Sequence, residues 1–285
     1  MIVVTAAGGR TGAAVVHALW ARRKRVRALV GRTAPRPELT ALSAEVAAVD
    51  LTDAATVEPL LAGADALYLI WPNFHPQETA GAVALLAAAR RAGVARVVYH
   101  SVLRPQARAM PHHAAKDLVE EALDASGLRW RVLQPCAYAQ NLDGQLADAA
   151  TAGVLRSPWG LRQGQSLVDL RDVADAAAVL LTEDGLDGGT FEAAGPEPLT
   201  APQIAAVMGT RLGREVRAVD VVPDGPVPPP EQYAARCRRL MFDHYRAHGF
   251  AGSPRVLEAL LDRPPRIFAD HVASLELPGG AGELP

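Results

Sequence analysis

Short, mostly apolar runs alternate with segments of helical periodicity through the first 180 residues of the chain. The runs at 2–5, 26–30, 46–49, 66–70, 96–100 and 130–134 are about the length of strands and carry apolar residues on both parities, as strands buried on both faces do. Between them the spacing predicts helices, first behind Ala13, Val15, Val16 and Leu19, then over 54–61, 78–92, 114–125 and 139–152. A late strand is expected at 166–170 and a helix over 172–181. Such alternation predicts a doubly wound α/β fold, a parallel sheet with helices on both faces.

Beyond Glu183 the texture changes. Gly185, Gly188, Gly189, Pro196 and Pro198 break the pattern, a helix is expected over 202–212, a strand over 216–222, and 223–230 is too proline-rich for either. Two or three helices and a fraying Gly/Pro tail from Pro278 close the chain. The expected division is a nucleotide-binding part over 1–182, with part of the cleft from about 135–165, and a small α/β substrate lobe with C-terminal helices over 183–285.

The turn between the first strand and the first helix reads Ala6-Ala7-Gly8-Gly9-Arg10-Thr11-Gly12. Strand, glycine turn, helix, strand is the order by which a helix N-terminus meets the pyrophosphate of a dinucleotide. Gly9 and Gly12 stand three apart as that fingerprint requires, while Ala6 occupies the place of its first glycine. A cofactor without a 2′-phosphate calls for an acid about 20 residues beyond the turn. Here stand Gly31 and Arg32, with no acid before Glu38, so NADP(H) is favoured over NAD(H), with Arg10 a second partner for the phosphate. The alternative is that Arg10 and Arg32 are solvated surface arginines.

With 285 residues and a formal charge of −2, nothing calls for nucleic acid or an acidic membrane as partner. The longest apolar run, 82–89, is closed by Arg90-Arg91, too short to span a bilayer. The chain starts directly on a strand without a basic leader, and Cys136 and Cys237 lie far apart, so no secretory signal, no metal pair and a reducing cytoplasm are expected. The usage of Ala, Arg, Gly and Pro leans toward a GC-rich bacterial genome. The basic stretch 236–246, interleaved with Leu240, Phe242 and Tyr245, reads as a helix with a solvated face and an apolar stripe.

Several further stretches carry a resemblance. Val49-Asp50-Leu51-Thr52-Asp53, Gly63-Ala64-Asp65-Ala66, Val97-Val98-Tyr99-His100-Ser101-Val102-Leu103, 116–122, Leu133-Gln134-Pro135 with Asn141-Leu142, 168–174, and Arg263-Pro264-Pro265-Arg266-Ile267-Phe268 stand in an order that resembles the NmrA-like branch of the atypical short-chain dehydrogenases/reductases. The resemblance implies a Rossmann-like domain with a small C-terminal substrate lobe. It also implies one of three activities: NADP(H)-dependent reduction of quinones, dyes or phenylpropanoid ethers; dinucleotide sensing by a regulator without turnover; or a step on aromatic polyketides.

On that resemblance the cofactor is expected to meet Ala7, Gly8, Gly9, Arg10, Thr11, Gly12, Arg32, Asp50, Leu51, Ile70, Trp71, Pro72, Ser101, Lys116 and Pro135. The substrate cleft is expected at Asn73, Cys136, Tyr138 and Asn141. Of 29 basic residues only Lys24 and Lys116 are lysines, which singles out Lys116, since an ammonium can exchange a proton where a guanidinium cannot. In the family's reductases the matching lysine lies near the nicotinamide; the other reading is a surface lysine paired with Glu120. His112, one helical turn before Lys116, replaces the superfamily's tyrosine and could carry a proton near neutrality, or cap a surface helix. Ser101 ends a strand at the sheet edge, Tyr138 is a phenol acid candidate, and Cys136 reads as a packed small hydrophobe.

The leading expectation is a cytoplasmic NADPH-dependent reductase of a small aromatic ketone or quinone, monomeric or homodimeric, with Lys116 and either His112 or Tyr138 steering the proton. The alternatives are an NADP(H)-sensing regulator and a non-redox enzyme that couples or rearranges aromatic polyketides.

Overall fold

The computed structural model describes residues 1–31, 37–42 and 45–276. Arg32 and the tail from Pro278 lie outside the described residues. The strands are β1 (Ile2–Val4), β2 (Val26–Val30), β3 (Glu45–Ala48), β4 (Ala66–Leu69), β5 (Arg96–His100), β6 (Arg129–Pro135), β7 (Val154–Ser157), β8 (Gly189–Ala193) and β9 (Arg217–Asp220). The helices are α1 (Arg10–Ala21), α2 (Pro37–Ala41), α3 (Ala54–Leu61), α4 (Glu78–Arg91), α5 (Pro111–Asp124), α6 (Asp143–Ala152), α7 (Leu170–Thr182), α8 (Ala201–Leu212), α9 (Tyr233–His248), α10 (Arg255–Leu261) and α11 (Phe268–Ser274).

Seven strands form one parallel sheet in the order β3-β2-β1-β4-β5-β6-β8, and β7 pairs with β9 in a separate parallel ribbon. The chain starts at β1 and winds outward in both directions, so the topological switch falls between β1 and β4, where ligands of such sheets bind. Alternate residues of one strand feed opposite layers. Val4, Tyr68 and Val98 pack with α1 and α7, while Val3, Leu67, Val97 and Tyr99 pack with α3, α4 and α5. At the switch the Thr5 hydroxyl donates to the Ile70 carbonyl at 2.7 Å and accepts from the Ile70 N–H at 2.8 Å, pinning the ends of β1 and β4.

Several elements differ from the sequence pattern, among them α2 and β7, which it does not anticipate. The stretch 166–170 makes only one isolated bridge, Val168 with Tyr138, because α7 begins at Leu170 once Asp169 accepts the Arg171 N–H at 2.8 Å. The glycine-broken segment after Glu183 contains β8, an edge strand whose mixed polarity leaves no apolar run to read. Helix α5 starts at Pro111 rather than 114, since proline at the first helical position has no N–H to lose. No helix among the described residues is long and apolar enough to cross a membrane.

The turn into α1 explains its glycines one by one. A Cβ at Gly12 would lie 2.5 Å from the Ala6 oxygen and 2.7 Å from the Ala7 Cα, so only glycine lets α1 sit this close to the turn. Ala6 itself holds a φ of 45°, the left-handed region where a Cβ is disfavoured. Gly9, the N-cap, has φ −84°; a Cβ there would meet the Ala6 oxygen at 3.4 Å, so its glycine is not demanded by the protein's own packing. Accordingly Gly12→Ala should destabilise by roughly 2 kcal/mol or more through backbone overpacking, whereas Ala6→Gly should be neutral or stabilise by up to about 1 kcal/mol. Urea denaturation of the two variants checks both signs.

Candidate functional site

The carboxyl edge of the sheet opens into a cleft of about 610 Å³ that runs from the α1 turn across the ends of β4, β5 and β6 to α9. At its first end α1 begins with no side-chain cap and no acidic residue in its first turn. Uncapped first-turn N–H groups and the positive end of the helix dipole form an anion seat. Gly9 is exposed beside them, and with Gly12 closing the turn from below the cradle fits a diphosphate. Thr11 lines the cleft, Ala7 is buried with its N–H on the Leu29 carbonyl at 2.8 Å, and Gly8 is half-buried between them. Arg10 reaches across the mouth of the cleft to the Gln140 carbonyl at 2.6 Å.

The adenine-side candidates stand apart from the cleft. Asp50, after β3, accepts the Thr52 N–H at 2.9 Å and the Thr52 hydroxyl at 2.7 Å in a local turn, and Leu51 follows it. Ile70, Trp71, Pro72 and Asn73, after β4, line the cleft. Trp71 is 2% exposed and lies over Gly81 of α4, where a Cβ would meet the indole at 2.0 Å. The indole therefore needs that glycine to lie flat.

Lys116 and Ser101 lie on the α4/α5 side. Lys116 is buried rather than at the surface, and its ammonium pairs with Glu78 of α4, not with Glu120. The same ammonium lies 5.8 Å above the Tyr99 ring. Among the described residues Glu78 Oε2 is buried without a hydrogen-bond partner, so the pair is not fully satisfied. Glu120 instead takes the Ser101 hydroxyl and both carboxylate oxygens meet Gln134 Nε2 at 3.0 Å. Burial pushes the Glu120 carboxyl up from its ordinary range, against the lowering effect of those two donors.

His112 is buried against Phe74 and His113, ring centroids 4.8 and 4.6 Å away. Burial, then the neighbouring His113 and Lys116, pushes it down to about 2, which works against the proton-carrying role near neutrality that the sequence suggests. His113 Nδ1 donates to the Arg104 carbonyl at 3.0 Å, and burial holds this ring down to about 4.

On the opposite side, after β6, stand Pro135, Cys136, Tyr138 and Asn141, all lining the cleft. The Cys136 thiol donates to the Phe250 carbonyl at 3.2 Å, and burial pushes it up to about 12, an inert thiol. The Tyr138 hydroxyl is hydrogen-bonded to His100 Nε2 at 2.7 Å, and His100 Nδ1 in turn meets the Tyr68 hydroxyl. Burial raises Tyr138 to about 12, with Thr11 and Arg10 pulling the other way.

The far wall is the apolar stripe of α9, with Met241, Phe242 and Tyr245 facing inward beside Trp159 and Phe250. The Tyr245 and Phe250 rings stack at 4.6 Å. The sequence marks α9 as a helix with an apolar stripe but gives no sign that the stripe faces a ligand. His100, Tyr68 and Glu78 are likewise missed, because each sits inside a strand or helix pattern that reads as packing alone.

A parallel 3-2-1-4-5-6 sheet with an anion seat at its switch point defines a dinucleotide-binding α/β protein. The sequence signature of the NmrA-like family matches residues 1–241, and the chain belongs to that family. It is 30% identical over 224 residues to the NAD(P)H azoreductase of Xenophilus azovorans, covering 78% of this chain and 77% of the relative. It is 30% identical over 287 residues to the (4-alkanoyl-5-oxo-2,5-dihydrofuran-3-yl)methyl phosphate reductase of Streptomyces griseus, covering 96% and 97%. The structure of the NADPH-dependent quinone oxidoreductase of Escherichia coli complexed with NADPH superposes with a TM-score of 0.83 at 24% identity, over 96% of this chain and 99% of that one.

The three histidines give the site a pH signature. His100, His112 and His113, held near 3, 2 and 4 when folded, regain an ordinary value of 6.5 on unfolding, so below pH 6.5 the unfolded chain binds protons that the folded chain refuses. Stability is then full above about pH 7 and falls as pH drops, by up to about 4 kcal/mol per pH unit between roughly pH 6 and 4 if all three contribute, partly offset by Glu120. Urea titrations at pH 7 and 5 on the protein and on His112→Phe should show the loss, with about a third of the slope missing in the variant.

Proposed function

We propose that the chain is an NAD(P)H-dependent reductase that delivers hydride to a quinone or aromatic ketone lying between the ends of β4–β6 and α9. The observation that carries this reading is one cleft with an uncapped helix N-terminus at one end, an aromatic wall at the other, and the phenol of Tyr138 between them. Relatives at 30% identity over three quarters or more of the chain are themselves named reductases, which supports it. NADP(H) is favoured over NAD(H) on Arg32 following β2 without an acid. The cytoplasm is the proposed compartment, and aromatic polyketide metabolism in a bacterium the proposed setting.

The bound nicotinamide supplies the hydride. The α1 N–H groups would hold the diphosphate, and Lys116, paired with Glu78, would orient the ribose from the α5 side. Tyr138 gives its hydroxyl proton to the acceptor oxygen as the hydride reaches the acceptor. One hydride and one proton complete the two-electron reduction of either a ketone or a quinone. Ser101, engaged with Glu120, shapes the floor of the cleft.

Purified protein should oxidise NADPH with at least one member of a broad quinone and aryl-ketone panel, and NADH more slowly. Tyr138→Phe should lower kcat on the order of 100-fold while cofactor affinity by calorimetry holds. Cofactor binding without oxidation by any acceptor would instead favour the dinucleotide-sensing reading.

A further inference from the structure

We infer that His100 and Tyr68 fix the direction of the Tyr138 hydroxyl, so that it offers its proton to the cleft while an imidazole N–H holds its oxygen. The direction of these hydrogen bonds stands on the contacts and on the burial of His100; their effect on turnover rests on the reductase reading above.

The argument begins at the buried end. Tyr68, in the middle of β4, is fully buried among apolar side chains, and among the described residues its hydroxyl has one hydrogen-bond partner, His100 Nδ1. If Nδ1 carried the imidazole proton, the Tyr68 O–H would point into the core with nothing to accept it, which buried hydroxyls avoid. Tyr68 therefore donates and Nδ1 accepts. His100, 5% exposed, is neutral, because burial and the nearby Lys116 charge both oppose a second proton. Its single proton must then lie on Nε2, which donates to Tyr138 Oη at 2.7 Å.

Tyr138 is only half-buried and lines the cleft. With Nε2 already a donor, the phenol cannot give its proton to the ring and turns it to the cleft side, where the Thr11 hydroxyl stands within reach. The groups facing it are Arg10 and Thr11 from α1, His100 from β5 with Tyr68 of β4 behind it, and Lys116 acting on His100 from α5. None is acidic. When the Tyr138 O–H bond breaks and its proton bonds to the acceptor oxygen, the phenolate left behind keeps the Nε2–H hydrogen bond, and water entering the cleft returns the proton. His100 keeps its own proton throughout, so it is a positioning residue, and Tyr68 sets its tautomer.

The test uses the full chain with ¹⁵N-labelled histidine. The His100 signals, assigned by their loss in His100→Phe, should show the neutral Nε2–H tautomer, and Tyr68→Phe, which removes only a hydroxyl, should let the Nδ1–H form appear. In steady-state assays both variants should lose kcat by about 10- to 100-fold with KM within about twofold, and in His100→Phe the high-pH limb from Tyr138 ionisation should move upward. An Nδ1–H tautomer in the unaltered protein, or a Tyr68→Phe variant with tautomer and kcat both unchanged, overturns the inference. Absence of any turned-over acceptor would sink the reductase reading instead, and the tautomer would still be decided by the nitrogen spectra.

Discussion

The approach of α1 to the turn before it sets the position of everything else in the cleft. Because residue 12 has no Cβ, the helix begins in van der Waals contact with the backbone of Ala6 and Ala7, and its N–H groups reach the gap between β1 and β4. Thr5 holds that gap at a fixed width by bridging to Ile70 on the neighbouring strand. The residues after β4, β5 and β6 then converge on one side of the gap and the helix dipole on the other. Ala6, in the left-handed region, shows that the chain tolerates a strained residue to keep this geometry.

Lining the cleft, two groups of buried polar side chains are arranged differently. In one a buried cation meets a buried anion, Lys116 with Glu78, and a carboxyl shares its oxygens between Ser101 and Gln134. In the other no charge is buried in the Tyr68–His100–Tyr138 chain; neutral donors and acceptors alternate instead. A charged pair fixes electrostatic potential, whereas a neutral chain fixes the direction of protons. The cleft between them thus has a charged floor on one side and an oriented hydroxyl on the other.

Much of this architecture is legible from the chain, and the reasons it stops being legible are physical. The central strands are buried on both faces and announce themselves as apolar runs, and α3 occupies 54–61 as its periodicity predicts. The glycine turn is readable because backbone contact demands a particular residue. Strand β8 is not, because an edge strand has a solvated side and loses the signal. Lys116 is conspicuous by rarity, but its partner Glu78 is 38 residues away and only the packing of α4 on α5 joins them. His100 hides for a related reason: one polar residue at the end of a strand looks like an edge until its neighbours on β4 and after β6 are in place.

Helix α9 leaves the molecule with an unequal distribution of constraint. Its register is not set by strand pairing, and its outer face is tethered through arginine contacts such as Arg239 with the Gly225 carbonyl and Arg246 with Asp220. Its inner face includes Met241, Phe242 and Tyr245, which among the described residues make no hydrogen bond to the α1 turn or the tyrosine chain. On the reductase reading proposed above, exchanging them would reshape the volume open to an acceptor and leave the diphosphate seat and the phenol in place. On that reading, what the scaffold accepts is set on one helix and the proton donor on the opposite side of the cleft.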